Sequence, residues 1–359
     1  MSASLPVSER AAFFGLTSDQ VDAQVVAAGM PAWRGRQLRT WVYDQLAVDP
    51  QLATTFSKRD KQLLSDTFTF APGAIAQRQQ SADGTLKLLL QWQGDCVAET
   101  VMIPDLPRRT ACISSQVGCP VGCKFCASGM GGMKGNLTAS QIVEQVFELN
   151  LALGSRSEGV TNVVFMGMGE PLANYANVIQ AIRVLHDPGC MNLSARRITL
   201  STVGIPHRMI DLANEDLPIN LAISLHAPNE ALRKQLIPWA EHFALGDILD
   251  AAREYFVKTG REITLEYILL SGVNDRPEHA RELAQLCKTL RANVNLICYN
   301  EVAGLEFKRP KTDDVLTFQQ LLRDESVNAH VRRSRGRDID AACGQLRRKH
   351  QEPQETLPE

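Results

Sequence analysis

Three cysteines fall within eight residues of the chain, in the segment Cys119-Pro-Val-Gly-Cys123-Lys-Phe-Cys126. Thiolates are the usual protein ligands of iron–sulfur clusters, and their softness favours iron–sulfur or zinc over hard cations. The spacing lets three thiolates converge on one inorganic cluster. Three ligands on a four-iron cluster would leave one iron without a protein ligand.

Structural zinc, a disulfide and simple burial are the alternative roles for these cysteines. Structural zinc requires four protein ligands, usually in two pairs, and a further cysteine or histidine at partner spacing is missing from the sequence. The nine cysteines are an odd number, and disulfides are rare inside cells. Single cysteines such as Cys190, Cys287 and Cys298 are often buried and chemically idle, but that does not account for three so close together.

Composition indicates a globular protein. Of the 359 residues, 44% are hydrophobic and 22% are charged, which is typical of globular domains and not of disordered or coiled-coil chains. The 38 Lys and Arg residues against 40 Asp and Glu give a formal charge of -2, so a polyanion must be met by a local basic patch. The sequence shows no secretory signal and no apolar run of about 18 residues, which predicts a cytoplasmic protein without membrane association.

From about residue 110 onward, apolar segments alternate with helical patterns. The strand candidates are residues 111–115, 160–166, 197–201, 219–224, 263–269 and 294–298. Such alternation with short connections predicts parallel strands joined by right-handed crossovers. Six repeats predict an α/β fold with a partial (β/α)6 TIM-like barrel, in which functional loops follow the carboxyl ends of the strands.

The rest of the chain divides into three further segments. Residues 1–75 carry helical patterns and predict an N-terminal helical accessory domain. Residues 76–109 contain two strand candidates and predict a small β-hairpin extension to the core, which covers residues 110–346. Residues 347–359 are polar, contain two prolines and are expected to be disordered.

The cysteine segment, with an aromatic residue before its last cysteine, resembles the signature of the radical S-adenosylmethionine (SAM) family. Members of that family hold one [4Fe-4S] cluster through three cysteines, and the open iron binds the amino and carboxylate groups of SAM. Gly169 and Glu170 resemble the family's Gly-Glu motif. The resemblance implies further SAM contacts at later strand ends, by Ser201, Ser224, Leu225, His226 and Asn300. Taken singly, these residues are more typical of turns and helix caps than of a cofactor site.

Longer motifs narrow the resemblance to the RlmN/Cfr group of RNA methyltransferases. The motifs are Arg109-Thr-Ala-Cys112, Phe165-Met-Gly-Met-Gly-Glu-Pro-Leu, Ile223-Ser-Leu-His-Ala-Pro-Asn, Glu266-Tyr-Ile-Leu-Leu-Ser-Gly-Val-Asn-Asp and Asp338-Ile-Asp-Ala-Ala-Cys343. The similarity runs from about residue 31 to residue 346. The sequence departs from the group at Cys298, where members often carry proline.

This resemblance implies a reaction through two further cysteines. C2 or C8 of adenine is an electron-poor carbon that does not attack a sulfonium, so Cys343 would first take a methyl group from one SAM. A second SAM, cleaved reductively on the cluster, would give a 5′-deoxyadenosyl radical that abstracts hydrogen from the S-methyl group. After addition to adenine, Glu99 would accept the ring proton. Cys112 would then attack the Cys343 sulfur to form a transient disulfide. For Glu99, a solvated strand position remains the alternative.

The resemblance also implies the partners. The C2 enzyme of the group modifies an adenosine in the peptidyl transferase centre of 23S rRNA and the adenosine 3′ of the anticodon in tRNA, and we expect the same substrates here. We expect a flavodoxin-type electron donor and a monomeric protein. Two alternatives are methylation at C8 of the same rRNA base and a non-enzymatic iron–sulfur protein that binds RNA.

Arginine-rich segments are the candidate RNA contacts. Residues 332–337 carry four arginines beside Cys343, and the N-terminal segment carries Arg34, Arg36 and Arg39. Guanidinium groups contribute affinity for phosphates without reading the bases. A solvated helix face accounts for such charges equally well, so these segments alone do not establish RNA binding.

Overall fold

The N-terminal part of the computed structural model is mostly helical. The structure describes residues 10–70, 73–154 and 157–346. The elements of the first segment are strand β1 (Ala11–Ala12), helices α1 (Ser18–Ala27), α2 (Trp33–Arg39) and α3 (Lys58–Thr67), and strand β2 (Phe68–Thr69). The two short strands pair in parallel.

Aromatic side chains join this helical part to the rest of the molecule. Phe13 contacts Tyr43, Phe68 and Phe70, with ring centroids 5.0 to 5.7 Å apart. Phe14 packs against Phe147 of the following core helix, with centroids 4.8 Å apart. These rings belong to the same buried cluster as the core of the large sheet. The predicted division of the chain into an accessory domain, an extension and a core stays a prediction.

A ten-stranded sheet forms the centre of the molecule. Its antiparallel edge is built from β3 (Ala74–Gln80), β4 (Leu86–Gln91) and β5 (Val97–Asp105), and β5 pairs antiparallel with β6 (Arg108–Cys112). A separate pair consists of β7 (Gln116–Gly118) and β8 (Met133–Asn136).

Seven parallel strands, beginning with β6, make up the remainder of the sheet. The elements that follow β8 are α4 (Ala139–Leu153), β9 (Asn162–Phe165), α5 (Tyr175–His186), β10 (Ile198–Thr202), α6 (Pro206–Asn214), β11 (Asn220–Ser224), α7 (Glu230–Leu236), α8 (Leu245–Thr259), β12 (Ile263–Leu269), α9 (Pro277–Lys288), β13 (Ala292–Cys298), α10 (Thr312–Asp324) and β14 (Ala329–Arg332). The strand order β6-β9-β10-β11-β12-β13-β14 follows the chain. Sequential order of this kind brings all the strand ends with chemistry-bearing loops to one edge.

The predicted α/β class is confirmed, and each of the six predicted parallel strands overlaps an observed one, although the first, residues 111–115, overlaps β6 only at residues 111 and 112. A seventh parallel strand, β14, is not predicted by the sequence. The two strands predicted in the extension are also present as β4 and β5. Strands β3 and β14 are absent from the sequence prediction, because neither carries an apolar run long enough to stand out. The predicted disordered tail, residues 347–359, lies outside the described residues. Within the described parts of the chain, no helix has the length and hydropathy needed to cross a bilayer.

Candidate active site

The three clustered cysteines lie in the loop between β7 and β8, and all three line one cavity. Val121 and Phe125, which alternate with the cysteines, are buried in an apolar cluster with Leu236 and Ile237. The Lys124 N–H donates to the carbonyl of Leu236 at 3.0 Å. The apolar residues therefore anchor the loop on the segment after β11 and leave the thiols at the cavity.

The three cysteines provide a donor set that fits an iron–sulfur cluster. Burial raises the pKa of Cys119 to about 12 and also raises the pKa of Cys123 and Cys126. Buried thiols of this kind are inert unless a metal or cation stabilises the thiolate. Thiolates are the usual protein ligands of iron–sulfur clusters, and these three line one cavity.

Gly169 and Glu170 follow β9 in a loop that lies directly against residues 113–116. A Cβ atom on Gly169, whose φ is 106°, would come within 2.7 Å of the side chains of Ser115 and Gln116. The Glu170 N–H donates to Oε1 of Gln116 at 2.8 Å. Glycine is required here because the backbone approaches too closely for any side chain.

The Glu170 carboxylate lines the cavity but also organises the next strand end. It accepts hydrogen bonds from Thr202 Oγ1 at 2.7 Å, from Val203 N at 2.8 Å and from Leu172 N at 2.9 Å. Burial raises its pKa to about 7, against the lowering effect of these donors. Glu170 therefore couples the loop after β9 to the end of β10. Its predicted contact with the SAM amino group stays a prediction.

The remaining predicted cofactor residues lie in three different places. Ser201, Ser224 and His226 line the same cavity as the cysteines, and the Oγ atoms of the two serines lie 3.3 Å apart. Leu225 is fully buried in the apolar core, so its side chain does not line this cavity. Asn300 lines a second, adjoining cavity.

His226 is a neutral imidazole held in a strained position. The Ile268 N–H donates to its Nδ1 at 3.1 Å, which leaves Nε2 to carry the ring proton. Its φ is 58°, a left-handed value that is uncommon outside glycine. The side-chain amide of Asn274 donates to the carbonyls of His226 and Ile268, at 2.8 and 2.6 Å. Asn274 thus holds the turn, a function not predicted from the sequence.

We expect His226 to make the folded protein less stable in acid. Burial, and then the charge of Arg233, lowers its pKa to about 3, whereas the unfolded value is about 6.5. Between these values the unfolded chain binds more protons, so stability falls as pH falls. Urea unfolding at pH 6 and pH 4 should show the wild type losing about 2 kcal/mol more than His226→Asn, in which Oδ1 replaces Nδ1 as acceptor. Equal losses would contradict the buried neutral histidine.

A second cavity lies beside the first and brings together the two cysteines that are predicted to react. Cys112, at the end of β6, and Cys343 both line it, together with Arg332 at the end of β14. Cys343 also lines the first cavity. Burial, then the neighbouring Cys343, raises the pKa of Cys112 to about 12, and Arg332 lowers it. The structure therefore brings the two predicted reactive cysteines together, with a guanidinium group beside them.

Arg332 connects the two cavities through Glu266 of β12. Its Nη1 lies 3.6 Å from Oε2 of Glu266, and Glu266 lines the first cavity. Burial raises the pKa of Glu266, while Arg332 and Asn295 lower it. Because the sequence does not predict β14, the position of Arg332 at a strand end could not be foreseen.

Glu99 is buried on β5 and not solvated, with 5% of its surface exposed. Its Oε1 lies 3.0 Å from Nζ of Lys87 on β4, and Ser114 Oγ donates to its backbone carbonyl at 2.6 Å. Period-two alternation puts Glu99 on the same face of β5 as Val101, which packs against Cys112. Glu99 therefore lies on the same face of the sheet as Cys112, but it lines neither cavity.

The segment that carries Cys343 is fastened to the loop between β3 and β4 and to the start of β4. Ser81 Oγ donates to the Asp338 carboxylate at 2.6 Å, and the Gly336 N–H donates to Asp83 at 3.0 Å. Lys87 Nζ donates to the carbonyl of Asp340 at 3.2 Å. At the other side, Asn300 Nδ2 donates to the carbonyl of Cys343 at 3.3 Å. We give the name hairpin clamp to the contacts between residues 81–87 and residues 336–340.

The arginine-rich stretch beside Cys343 has mixed surroundings. Arg332, Arg333 and Arg335 line the second cavity. Arg337 is exposed, whereas Arg332 is engaged with Glu266. In the N-terminal part, Arg39 is buried and donates to the carbonyls of Gly189 and Ser18, which is a structural position.

Comparisons with known proteins agree with this arrangement. The profile of the radical SAM superfamily matches residues 113–285. The chain is 46% identical to a probable dual-specificity RNA methyltransferase RlmN of Thermosynechococcus vestitus, over 93% of this chain and 97% of the relative. It is 42% identical to the protein of the same description from Thermotoga neapolitana, over 93% and 96%.

A solved structure is also similar over nearly the whole chain. The crystal structure of a radical SAM methyltransferase from Sphaerobacter thermophilus is 41% identical, with a TM-score of 0.90, and the match covers 94% of this chain and 99% of that chain. Both the sequence relatives and this structure extend well beyond the central superfamily match. The chain therefore belongs to the RlmN family of radical SAM RNA methyltransferases.

Proposed function

We propose that this chain methylates C2 of adenosine, both in the peptidyl transferase centre of 23S rRNA and 3′ of the anticodon in tRNA. Its relatives are described as dual-specificity RNA methyltransferases. The observation that carries the proposal is the place of Cys343, which lines both the cavity of the three clustered cysteines and the cavity of Cys112. A methyl carrier needs access to both the methyl donor and the acceptor base.

Cys119, Cys123 and Cys126 are the proposed three ligands of one [4Fe-4S] cluster, beside which SAM binds. When bound, the cluster and two SAM molecules per turnover supply the methyl group and the one-electron chemistry that activates it. Glu170, Ser201, Ser224 and His226 line the space that SAM would occupy. A neutral His226 offers an Nε2–H donor there without adding charge to the cavity.

Cys343 is the proposed methyl acceptor. As a thiolate it would accept the methyl group of SAM by displacement at the methyl carbon, and the sulfonium would leave as the neutral thioether S-adenosylhomocysteine. Arg332 places a positive charge at the second cavity, which Cys343 also lines. Asn300 and the hairpin clamp hold the backbone on either side of this residue.

Glu99 and Cys112 are the proposed residues for product release. Lys87 fixes one oxygen of the Glu99 carboxylate, which orients the carboxylate to receive the ring proton. The Cys112 thiolate attacks the Cys343 sulfur, so that a sulfur–sulfur bond forms and the bond from sulfur to the product carbon breaks. The ring proton would pass to Glu99, and the unpaired electron left by the radical addition would return to the iron–sulfur centre. The electron pair of the broken carbon–sulfur bond would stay on the product carbon, which would take up a proton to become the methyl group.

We also propose the cellular setting. The cysteines of the described residues are free thiols, which suits a reducing cytoplasm. A flavodoxin-type donor would supply the single electrons that reductive cleavage of SAM requires. The chain is proposed to act as a monomer. Arg333 and Arg335, at the mouth of the second cavity, are proposed to contact RNA phosphates. The N-terminal helical part is a proposed accessory RNA-binding domain.

Nucleoside analysis of treated RNA tests the proposed function. Cluster-loaded protein is incubated anaerobically with SAM, a reductant and either 23S rRNA or tRNA, and the digested nucleosides are separated by mass spectrometry. We expect 2-methyladenosine from both RNAs. Formation of 8-methyladenosine instead would support the Cfr-like alternative, and the absence of any methylated adenosine from loaded protein would support the non-enzymatic one.

A further inference from the structure

Arg233 is a buried cation for which the described residues provide no carboxylate. It lies on α7 with 1% of its surface exposed. Its Nη2 donates to the carbonyl of Val203, while its Nε is buried without any acceptor. A buried charge is expensive unless it is paired and hydrogen-bonded. The arrangement therefore calls for an anion that the protein's own carboxylates do not supply.

Glu230, one turn before Arg233, is committed elsewhere. Its Oε2 accepts a hydrogen bond from Leu245 N at 2.7 Å, and its Oε1 lies 3.5 Å from Nζ of Lys234. The Glu230 side chain is 39% exposed, so water screens its charge.

The neighbour that can become anionic is the cysteine loop. The end of α7 receives the hydrogen bond from Lys124 N, and Leu236 and Ile237 pack in one cluster with Val121 and Phe125. The carbonyl that accepts the Arg233 hydrogen bond belongs to Val203, which lines the same cavity as the three cysteines. Three thiolates around an iron–sulfur centre would place negative charge beside this guanidinium group.

We infer that Arg233 is the buried positive charge that partly neutralises the negative charge of the iron–sulfur centre. It interacts with both the oxidised and the reduced states of the centre, in an environment of low dielectric constant. The inference rests on the proposed binding of a cluster by the three cysteines. A nearby positive charge favours the state with one more electron, so Arg233 raises the reduction potential. It is a positioning residue for charge and contacts neither RNA nor the methyl carrier.

Replacement of Arg233 separates this function from a structural one. Arg233→Met removes the charge and keeps an unbranched apolar stem. Lys234→Met removes a charge from the exposed side of the same helix and is the matched control, and Arg233→Lys is the conservative variant. For each protein, the iron content, the potential of the centre by EPR-monitored dithionite titration, and the urea stability of the cluster-free chain are measured.

We expect opposite effects on the two forms of Arg233→Met. The cluster-free chain should be at least as stable as the wild type, because an apolar side chain replaces an uncompensated buried charge. In the loaded protein the ratio of reduced to oxidised centre at a fixed potential should fall about tenfold, which corresponds to about 59 mV for one electron. Arg233→Lys should restore most of the shift, and Lys234→Met should show little change.

The outcomes distinguish this inference from the proposed function. The inference would be overturned if loaded Arg233→Met had an unchanged reduction potential. It would also be overturned if the cluster-free Arg233→Met chain were unstable or failed to fold. In those cases the wild type would still bind a cluster, and the proposed function would stand. A wild-type protein that binds no four-iron cluster would remove the proposed function as well.

Discussion

Cys343→Ala is expected to lower the rate of RNA methylation by at least about 10³-fold, because removal of a covalent nucleophile leaves only binding and positioning of the substrates. The thiol lines both cavities, and no other cysteine among the described residues does so except Cys126, a proposed cluster ligand. Transfer of a labelled methyl group from SAM to RNA measures the loss. Mass spectrometry of the digested protein should also show that the peptide containing residue 343 no longer gains a methyl group.

A matched control for this variant is Cys287→Ala on α9. Cys287 is also buried, and burial raises its pKa to about 12, but it lines neither site cavity. Its replacement should leave methyl transfer unchanged. Retained RNA methylation in Cys343→Ala, with an intact cluster, would show that the methyl group reaches RNA by another route.

Cys112→Ala should stop the reaction after addition to RNA. Without the second thiol, the sulfur of Cys343 cannot be displaced from the product carbon, so the protein stays covalently attached to RNA. Denaturing gel electrophoresis should show a protein–RNA adduct that resists boiling and disappears after nuclease digestion. We expect the rate of methylated product release to fall by at least about 10³-fold, as when a nucleophile is removed.

The double variant Cys112→Ala/Cys343→Ala provides the control for the adduct. It should form none, because the carrier sulfur itself is missing. Normal turnover by Cys112→Ala would contradict the disulfide step. A noncovalent complex that dissociates in denaturant would contradict attachment through Cys343.

Six of the seven parallel strands could be predicted because each of the six has an apolar run bounded by polar residues. Strand β12 and strand β13 are examples, and their register is continuous over seven residue pairs. Once the strands were placed, their carboxyl ends located the loops of Glu170, Ser201 and His226 in one region. The sequence could not show that Leu225 points into the core, because the backbone turns sharply at His226, where φ is 58°.

Residues whose role depends on contacts with other elements of the fold could not be predicted. Lys87 lies within an apolar strand, and its buried side chain forms an ion pair with Glu99 of the neighbouring strand. Arg233 has the sequence context of an ordinary charged residue in a short helix, and only packing shows that its Nε lacks an acceptor. Strand β14 is four residues long and shows no period that separates it from a loop.

The hairpin clamp also determines when the molecule becomes competent during folding. Its partners lie 253 to 257 positions apart in the chain, so they meet only after the intervening strands have assembled. Cys119, Cys123 and Cys126, in contrast, lie within eight residues of one another in the sequence. A partly folded chain can therefore have the three proposed cluster ligands close together while Cys343 is still distant, so we expect the proposed methyl transfer to require the completed fold.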